Sequence, residues 1–170
     1  MCGIAALFSY RSDASKVSRE ELRAIRDSMA RRGPDGSGEW FSADDRVALG
    51  HRRLSILDLT VKGAQPMASQ DGSLVISFNG EIYNYRELRK DLEAKGHHFK
   101  SDSDTEVLLY LYREKGESMF DELRGMFAFA LWDQQKKSML LARDPFGIKP
   151  LYYPGKKGIF KAASQVKAML

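Results

Sequence analysis

Met1-Cys2-Gly3-Ile4-Ala5-Ala6-Leu7-Phe8 is the stretch on which the rest of the chain turns. The only cysteine among 170 residues stands second, so removal of Met1 would place a thiol and a free α-amine on one residue. An α-amine titrates at roughly 7.7 to 8.0, close enough to neutral pH for an unprotonated fraction to take the thiol proton. Such a residue carries nucleophile and base together. The alternative is structural: free cysteine is commonly buried, and Ile4 to Phe8 continue as an apolar run that opens a buried strand.

A chain of this length, 43% hydrophobic and 11% aromatic, is sufficient for one domain with a full core. One cysteine cannot form an internal disulfide. The start lacks the basic and apolar runs of a signal peptide, and no window approaches roughly eighteen uninterrupted apolar residues. A soluble, cytoplasmic protein with no membrane partner is expected. The formal charge of +4 suggests nucleic acid until its distribution is considered. From Leu141 to Leu170, six basic residues (Arg143, Lys149, Lys156, Lys157, Lys161, Lys167) face one acid, Asp144, and the remainder is close to neutral. That pattern describes a solvated face or a docking surface rather than a nucleic-acid site.

Residues 4–9 read as the buried strand. Ser18 followed by Glu21 is a capping box opening a helix that turns Leu22, Ile25 and Met29 inward and ends near Arg31. Arg32-Gly33-Pro34-Asp35-Gly36 is a fixed turn. Trp40-Phe41 and Val47-Ala48-Leu49 flank the polar tip 42–46 as an antiparallel pair. In Gly50-His51-Arg52-Arg53-Leu54-Ser55-Ile56-Leu57-Asp58, strand alternation sends one of the two arginines inward or into a cleft and the other to solvent. The inward guanidinium needs an anion, either a structural carboxylate such as Asp58 or a ligand carboxylate. His51 reads as a structural histidine rather than a base.

Leu74-Val75-Ile76-Ser77-Phe78 is a strong strand running into Asn79-Gly80-Glu81. Asn-Gly alone signals a hairpin turn. An asparagine amide beside a glycine N–H also supplies two convergent donors of the kind that stabilise an oxyanion. Asn84 with Glu87 predicts a second capped helix that Gly96 stops, and Asp102 or Ser103 caps a third that ends at Gly116. Asp104, in the first turn of that helix, is placed for the helix dipole or for a ligand ammonium. Met126–Trp132 and Ser138–Arg143 enclose the turn 133–137. Leu151–Tyr153 and Ile159-Phe160 form a last pair about Pro154-Gly155, and a short helix starts at Gln165. Strands at both ends with three helices between them predict an α+β fold in which antiparallel sheets pack together under helices.

The motifs taken together resemble the glutaminase domain of glutamine-hydrolysing asparagine synthetases. They are Met1-Cys2-Gly3-Ile4, Arg32-Gly33-Pro34-Asp35, Gly50 to Asp58, Gln65-Pro66-Met67, Phe78 to Asn84, Ser103-Asp104-Thr105-Glu106, Gly125 to Phe129 and Arg143 to Tyr152, in the family's order over nearly the whole chain. The resemblance implies a four-layer αββα sandwich, the N-terminal-nucleophile hydrolase fold, acting as a class II glutamine amidotransferase. It implies that Cys2 attacks the side-chain amide of L-glutamine, that Arg53 holds the α-carboxylate and Asp104 the α-ammonium. Asn79 and Gly80 would form the oxyanion hole, with Glu81, Ile56 and Leu57 also touching substrate.

The resemblance further implies an ammonia-accepting synthetase domain or subunit as partner. No cofactor and no metal are expected for residues 1–170, because ATP and magnesium belong to the synthetase domain and no phosphate-binding glycine motif occurs here. Two departures from the family pattern are Arg31, where histidine is frequent, and Gln165, where glutamate is usual. Two other readings remain open at this level: a catalytically silent docking or regulatory module, and the glutaminase of a sugar or secondary-metabolite amidotransferase.

Overall fold

A computed structural model describes residues 1–56, 60–154 and 158–170. Leu57, Asp58, Gly155, Lys156 and Lys157 of the sequence reading lie outside the described residues. The elements are β1 (Gly3–Ser9), α1 (Arg19–Ser28), β2 (Gly36–Phe41), β3 (Val47–Arg53), β4 (Met67–Ala68), β5 (Leu74–Ile82), α2 (Tyr85–Ala94), α3 (Asp104–Lys115), β6 (Gly125–Asp133), β7 (Ser138–Arg143) and β8 (Ile159–Ala163). They make two four-stranded sheets, ordered β2-β3-β1-β8 and β4-β5-β6-β7. Every strand pair in them is antiparallel.

Strand alternation explains the layers. In β1, Ala5 and Leu7 pack with Leu22 and Ile25 of α1 and with Met29 just beyond it, while Ala6 between them packs with Val75, Ala130 and Trp132 of the other sheet. In β5 and β6, Ile76, Phe78, Phe127, Phe129 and Leu131 pack with α2 and α3. A strand covered on both faces needs apolar residues at consecutive positions, which is why Ile4 to Leu7 and Phe127 to Trp132 show no polar alternation. The order helix, sheet, sheet, helix is the expected αββα sandwich. Ala6, Ala130 and Ala162 at the inter-sheet layer are small enough to let the two sheets approach.

Several local expectations differ from the structure. Helix α1 ends at Ser28, short of Arg31, because Met29 and Ala30 N–H groups turn back to the Arg26 and Asp27 carbonyls. Asn84 stands at the N-cap of α2 as expected, but its side chain makes no capping bond. Its amide instead donates to the Glu122 carbonyl at 2.9 Å and its Oδ1 accepts from Arg124 N–H at 3.1 Å, tying the helix start to the segment before β6. The hairpin expected of Leu151–Tyr153 with Ile159-Phe160 does not form. β8 pairs with β1 instead, Ala5 opposite Ala163, and Tyr152 meets Ala163 in an isolated bridge. The C-terminal helix is a single 3-10 turn, Val166–Met169.

Candidate active site

Asn79-Gly80 is not a turn. Both residues lie inside β5, opposite Ala128 and Phe127 of β6. Phe127 directs its carbonyl to Asp144 N–H at 2.8 Å and its N–H to the Asp144 carboxylate at 3.2 Å, both away from β5. The Gly80–Phe127 pair is therefore of the non-hydrogen-bonded kind, and the Gly80 N–H points to the opposite edge of β5. Its neighbours on that edge, two residues away on either side, are taken by side chains. Phe78 N–H donates to Gln65 Oε1 at 2.6 Å, and Ile82 N–H donates to Asp104 Oδ2 at 3.0 Å. Between them the Gly80 N–H faces a cavity of about 210 Å³ that Gln65, Gly80 and Asp104 all line. Glycine is needed here because a Cβ would sit 2.3 Å from the Met126 carbonyl oxygen. The Asn79 side chain is buried, and its Nδ2 has no hydrogen-bond partner among the described residues.

Cys2 enters the same cavity from the start of β1. Its thiol donates to the Leu54 carbonyl at 3.6 Å and accepts from Leu54 N–H at 3.4 Å, so the residue after β3 brackets the sulfur. Arg32 Nε–H donates to the Cys2 carbonyl at 3.0 Å. The turn that carries Arg32 is pressed onto β3: a Cβ at Gly33 would stand 2.3 Å from the Arg52 carbonyl carbon. Asp35 completes the seam, with its N–H on the Arg53 carbonyl at 3.0 Å and its carboxylate accepting from Ser55 N–H at 2.8 Å.

The two arginines separate as strand alternation requires, though neither is left in open solvent. Arg53 lines the cavity and donates to the Thr60 carbonyl at 2.9 Å. Arg52 donates to the Gly33 carbonyl at 3.2 Å and lies 3.6 Å from the Asp27 carboxylate. Across the cavity, Asp104 is the first residue of α3, whose cap is Ser103 rather than Asp102; the Ser103 hydroxyl accepts from Thr105 N–H. Burial pushes the Asp104 carboxyl up to about 6, against the hydrogen bonds from the Ile82 and Thr105 N–H groups. Desolvation outweighs the helix dipole that alone would favour the anion.

Cys2, Arg53, Ile56, Asn79, Gly80, Glu81 and Asp104 thus line one cavity. Leu54, Gln65, Thr105, Met126 and Lys149 share its wall and were assigned no role from sequence. Gln65 earns its place by clamping, with Oε1 on β5 and Nε2 donating to Thr105 Oγ1 at 3.2 Å. His51, expected from the sequence to be a satisfied structural histidine, does not line this cavity, and its buried Nε2 has no hydrogen-bond partner among the described residues. It is fully buried between the sheets, with Nδ1 3.1 Å from Ser77 Oγ, whose hydroxyl donates to the Gly50 carbonyl. Burial, aided by the Arg53 charge, pushes His51 down to about 3 and keeps it neutral.

A thiol, the cations Arg53 and Lys149, the carboxylates Glu81 and Asp104 and a free strand N–H around a small cavity suit a zwitterion with a reactive carbonyl at its far end. The profile of the glutamine amidotransferase domain family matches residues 1–170. The chain belongs to the glutamine amidotransferase domain family. It is 46% identical to asparagine synthetase [glutamine-hydrolyzing] 1 of Bacillus subtilis over all of this chain and 27% of that protein. It is 43% identical to asparagine synthetase B [glutamine-hydrolyzing] of Escherichia coli over all of this chain and 30% of that one. The chain therefore spans less than a third of these amidotransferase relatives. A solved glutamine phosphoribosylpyrophosphate amidotransferase of B. subtilis matches with a TM-score of 0.81 at 22% identity, covering 98% of this chain and 42% of its own. That likeness concerns the fold. No helix of the described residues is long and apolar enough to cross a membrane.

Proposed function

We propose that residues 1–170 form one glutaminase domain that hydrolyses the side-chain amide of L-glutamine to glutamate and ammonia at Cys2, and that the ammonia passes to a synthetase domain or subunit that makes asparagine. The observation that carries the reading is the shared cavity of Cys2, Arg53, Asn79, Gly80 and Asp104. Arg53 receives the α-carboxylate, Asp104 the α-ammonium, and Glu81 and Ile56 border the substrate. With Met1 removed, the Cys2 α-amine takes the thiol proton and the sulfur attacks the amide carbon, giving a tetrahedral oxyanion held by the Gly80 N–H and the Asn79 amide. Collapse breaks the carbon–nitrogen bond while the ammonium returns the proton to the leaving nitrogen, which departs as ammonia. The amine then deprotonates water, which attacks the thioester through a second oxyanion and releases glutamate and the thiol. Protons and electrons balance with water alone, so this half-reaction requires no cofactor; ATP and magnesium belong to the synthetase step.

Met1 lines the cavity and acylates the Cys2 nitrogen, so processing both frees the base and clears the site. The test measures glutamate formed from glutamine by protein whose processed N-terminus is established by mass. Steady release that vanishes in Cys2→Ala is expected. Release by unprocessed protein at the same rate would refute the α-amine as base, and none from processed protein would refute the hydrolysis.

A further inference from the structure

We propose that Arg32 is a positioning residue for Cys2, fixing its backbone and supplying the countercharge to the anion that forms at its sulfur. The proposal rests on the reading of Cys2 as nucleophile. One side of the Arg32 guanidinium is committed to the residue that bears the thiol, through Nε and the Cys2 carbonyl at 3.0 Å. The other is not: Nη2 is buried and has no hydrogen-bond partner among the described residues, none of whose carboxylates pairs with it. A guanidinium keeps its proton in proteins, so this is a partly buried cation without an anion among the described residues. Burial weakens its hold on the proton, and the groups whose charge acts in the opposite sense are Cys2 and Tyr152. Of these two groups the sulfur is the one that gives up its proton, to the α-amine, in the proposed reaction, and it then supplies a countercharge.

The remaining charged groups facing Cys2 are its own α-amine and, across the cavity, Arg53, Glu81, Asp104 and Lys149. Arg52 is turned to Asp27 and the Gly33 carbonyl. All of these are unchanged by substitution at position 32, so a difference between Arg32 variants belongs to Arg32.

Cys2 is the only thiol, so iodoacetamide labels one site and intact mass reads the product. The labelling rate of processed wild type, Arg32→Lys and Arg32→Gln is measured from about pH 6 to pH 10, with circular dichroism as the check on folding. Arg32→Gln is expected to label about tenfold more slowly at pH 7 and to approach the wild-type rate at high pH, where the thiolate forms without help. Arg32→Lys, which keeps the charge, retains most of the wild-type rate at pH 7. With glutamine, kcat falls in Arg32→Gln while KM stays within about twofold. The proposal is overturned if Arg32→Gln labels like wild type at pH 7, if it is slowed by one constant factor at every pH, or if Lys rescues nothing. Should Arg32→Gln not fold, Arg32→Met is read by the same criteria. Labelling needs no glutamine turnover, so a chain that labels as expected yet releases no glutamate refutes the proposed function and leaves this inference standing.

Discussion

Asp104 is pulled two ways: the N-terminus of α3 favours its anion, and burial opposes it strongly enough to hold the carboxyl near 6. The sign of the pH effect follows. Below about 6 the group carries its proton and cannot pair with an ammonium, so kcat/KM for glutamine is expected to fall on acidification through that value, mainly through KM. Bound ammonium lowers the pKa again, so kcat should lack this limb and show only the α-amine, near roughly 8. For folding the direction reverses. Between the ordinary aspartate value and about 6 the native state holds a proton that the unfolded chain has lost, so Asp104 costs stability as pH rises through that window. Asp104→Asn should leave KM high and flat from pH 5 to 7; a KM that still climbs on acidification would assign the limb elsewhere. Removing either charged partner, in Arg53→Ala or Asp104→Ala, is expected to raise KM at least about tenfold, the order of a lost charge-assisted hydrogen bond. Their roles were read from the resemblance to the glutaminase family: strand alternation alone left Arg52 and Arg53 open, and Asp104 in the first turn of a helix could equally have served the helix dipole. The contacts of Leu54 and Arg32 were not legible, since they act on Cys2 through a main-chain group at one end of each contact.

β5 serves the site by what its edge lacks. β4 covers the edge only at Val75 and Ile76, and beyond it the N–H groups of Phe78 and Ile82 are closed by Gln65 and Asp104. The Gly80 N–H between them stays open. Asn79→Ala is expected to lower kcat by about 10² to 10³, as loss of one oxyanion donor does elsewhere, with KM nearly constant; a normal kcat would remove Asn79 from the hole. Gly80→Ala forces a methyl against the Met126 carbonyl and the Phe127 backbone, so β5 and β6 must part. A cost of about 1 to 3 kcal/mol is expected, read as a lower urea midpoint at unchanged slope. The sequence reading could not separate hairpin from strand at Asn79-Gly80, because both use the same two residues. The pairing of Leu74–Ile82 with Gly125–Asp133 decides it.

For the molecule as a whole, the distance between the sheets sets whether Cys2 on one reaches Asn79 and Gly80 on the other. Small residues at Ala6, Ala130 and Ala162 keep that distance short, and His51 with Ser77 makes a polar tie across the layer. Ala130→Leu is expected to destabilise by about 1 to 3 kcal/mol and to lower kcat for glutamine through separation of the two halves of the site, although position 130 lies outside the cavity. A stable variant with wild-type kcat would show that the sheets adjust without moving the site. Low-polarity runs in β1 and β6 announced two-sided burial in the sequence, and the number of helices announced their covering layers. The partner of β8 was not announced: Ile159-Phe160 matched a local hairpin as well as it matched β1, and the long-range pairing won because it completes a sheet.

The residue types that glutamine chemistry requires, the helix starts at Ser18 and Ser103, and the apolar periods of the strands were written in the chain itself, since each depends on composition and near neighbours. Which main-chain groups remain open at the cavity, which cation stands behind the sulfur, and how Gln65 and Asp104 divide one strand edge were decided by tertiary structure alone. Backbone N–H and C=O groups are alike at every position, and only the packing of one strand against another determines which of them are left to meet a substrate.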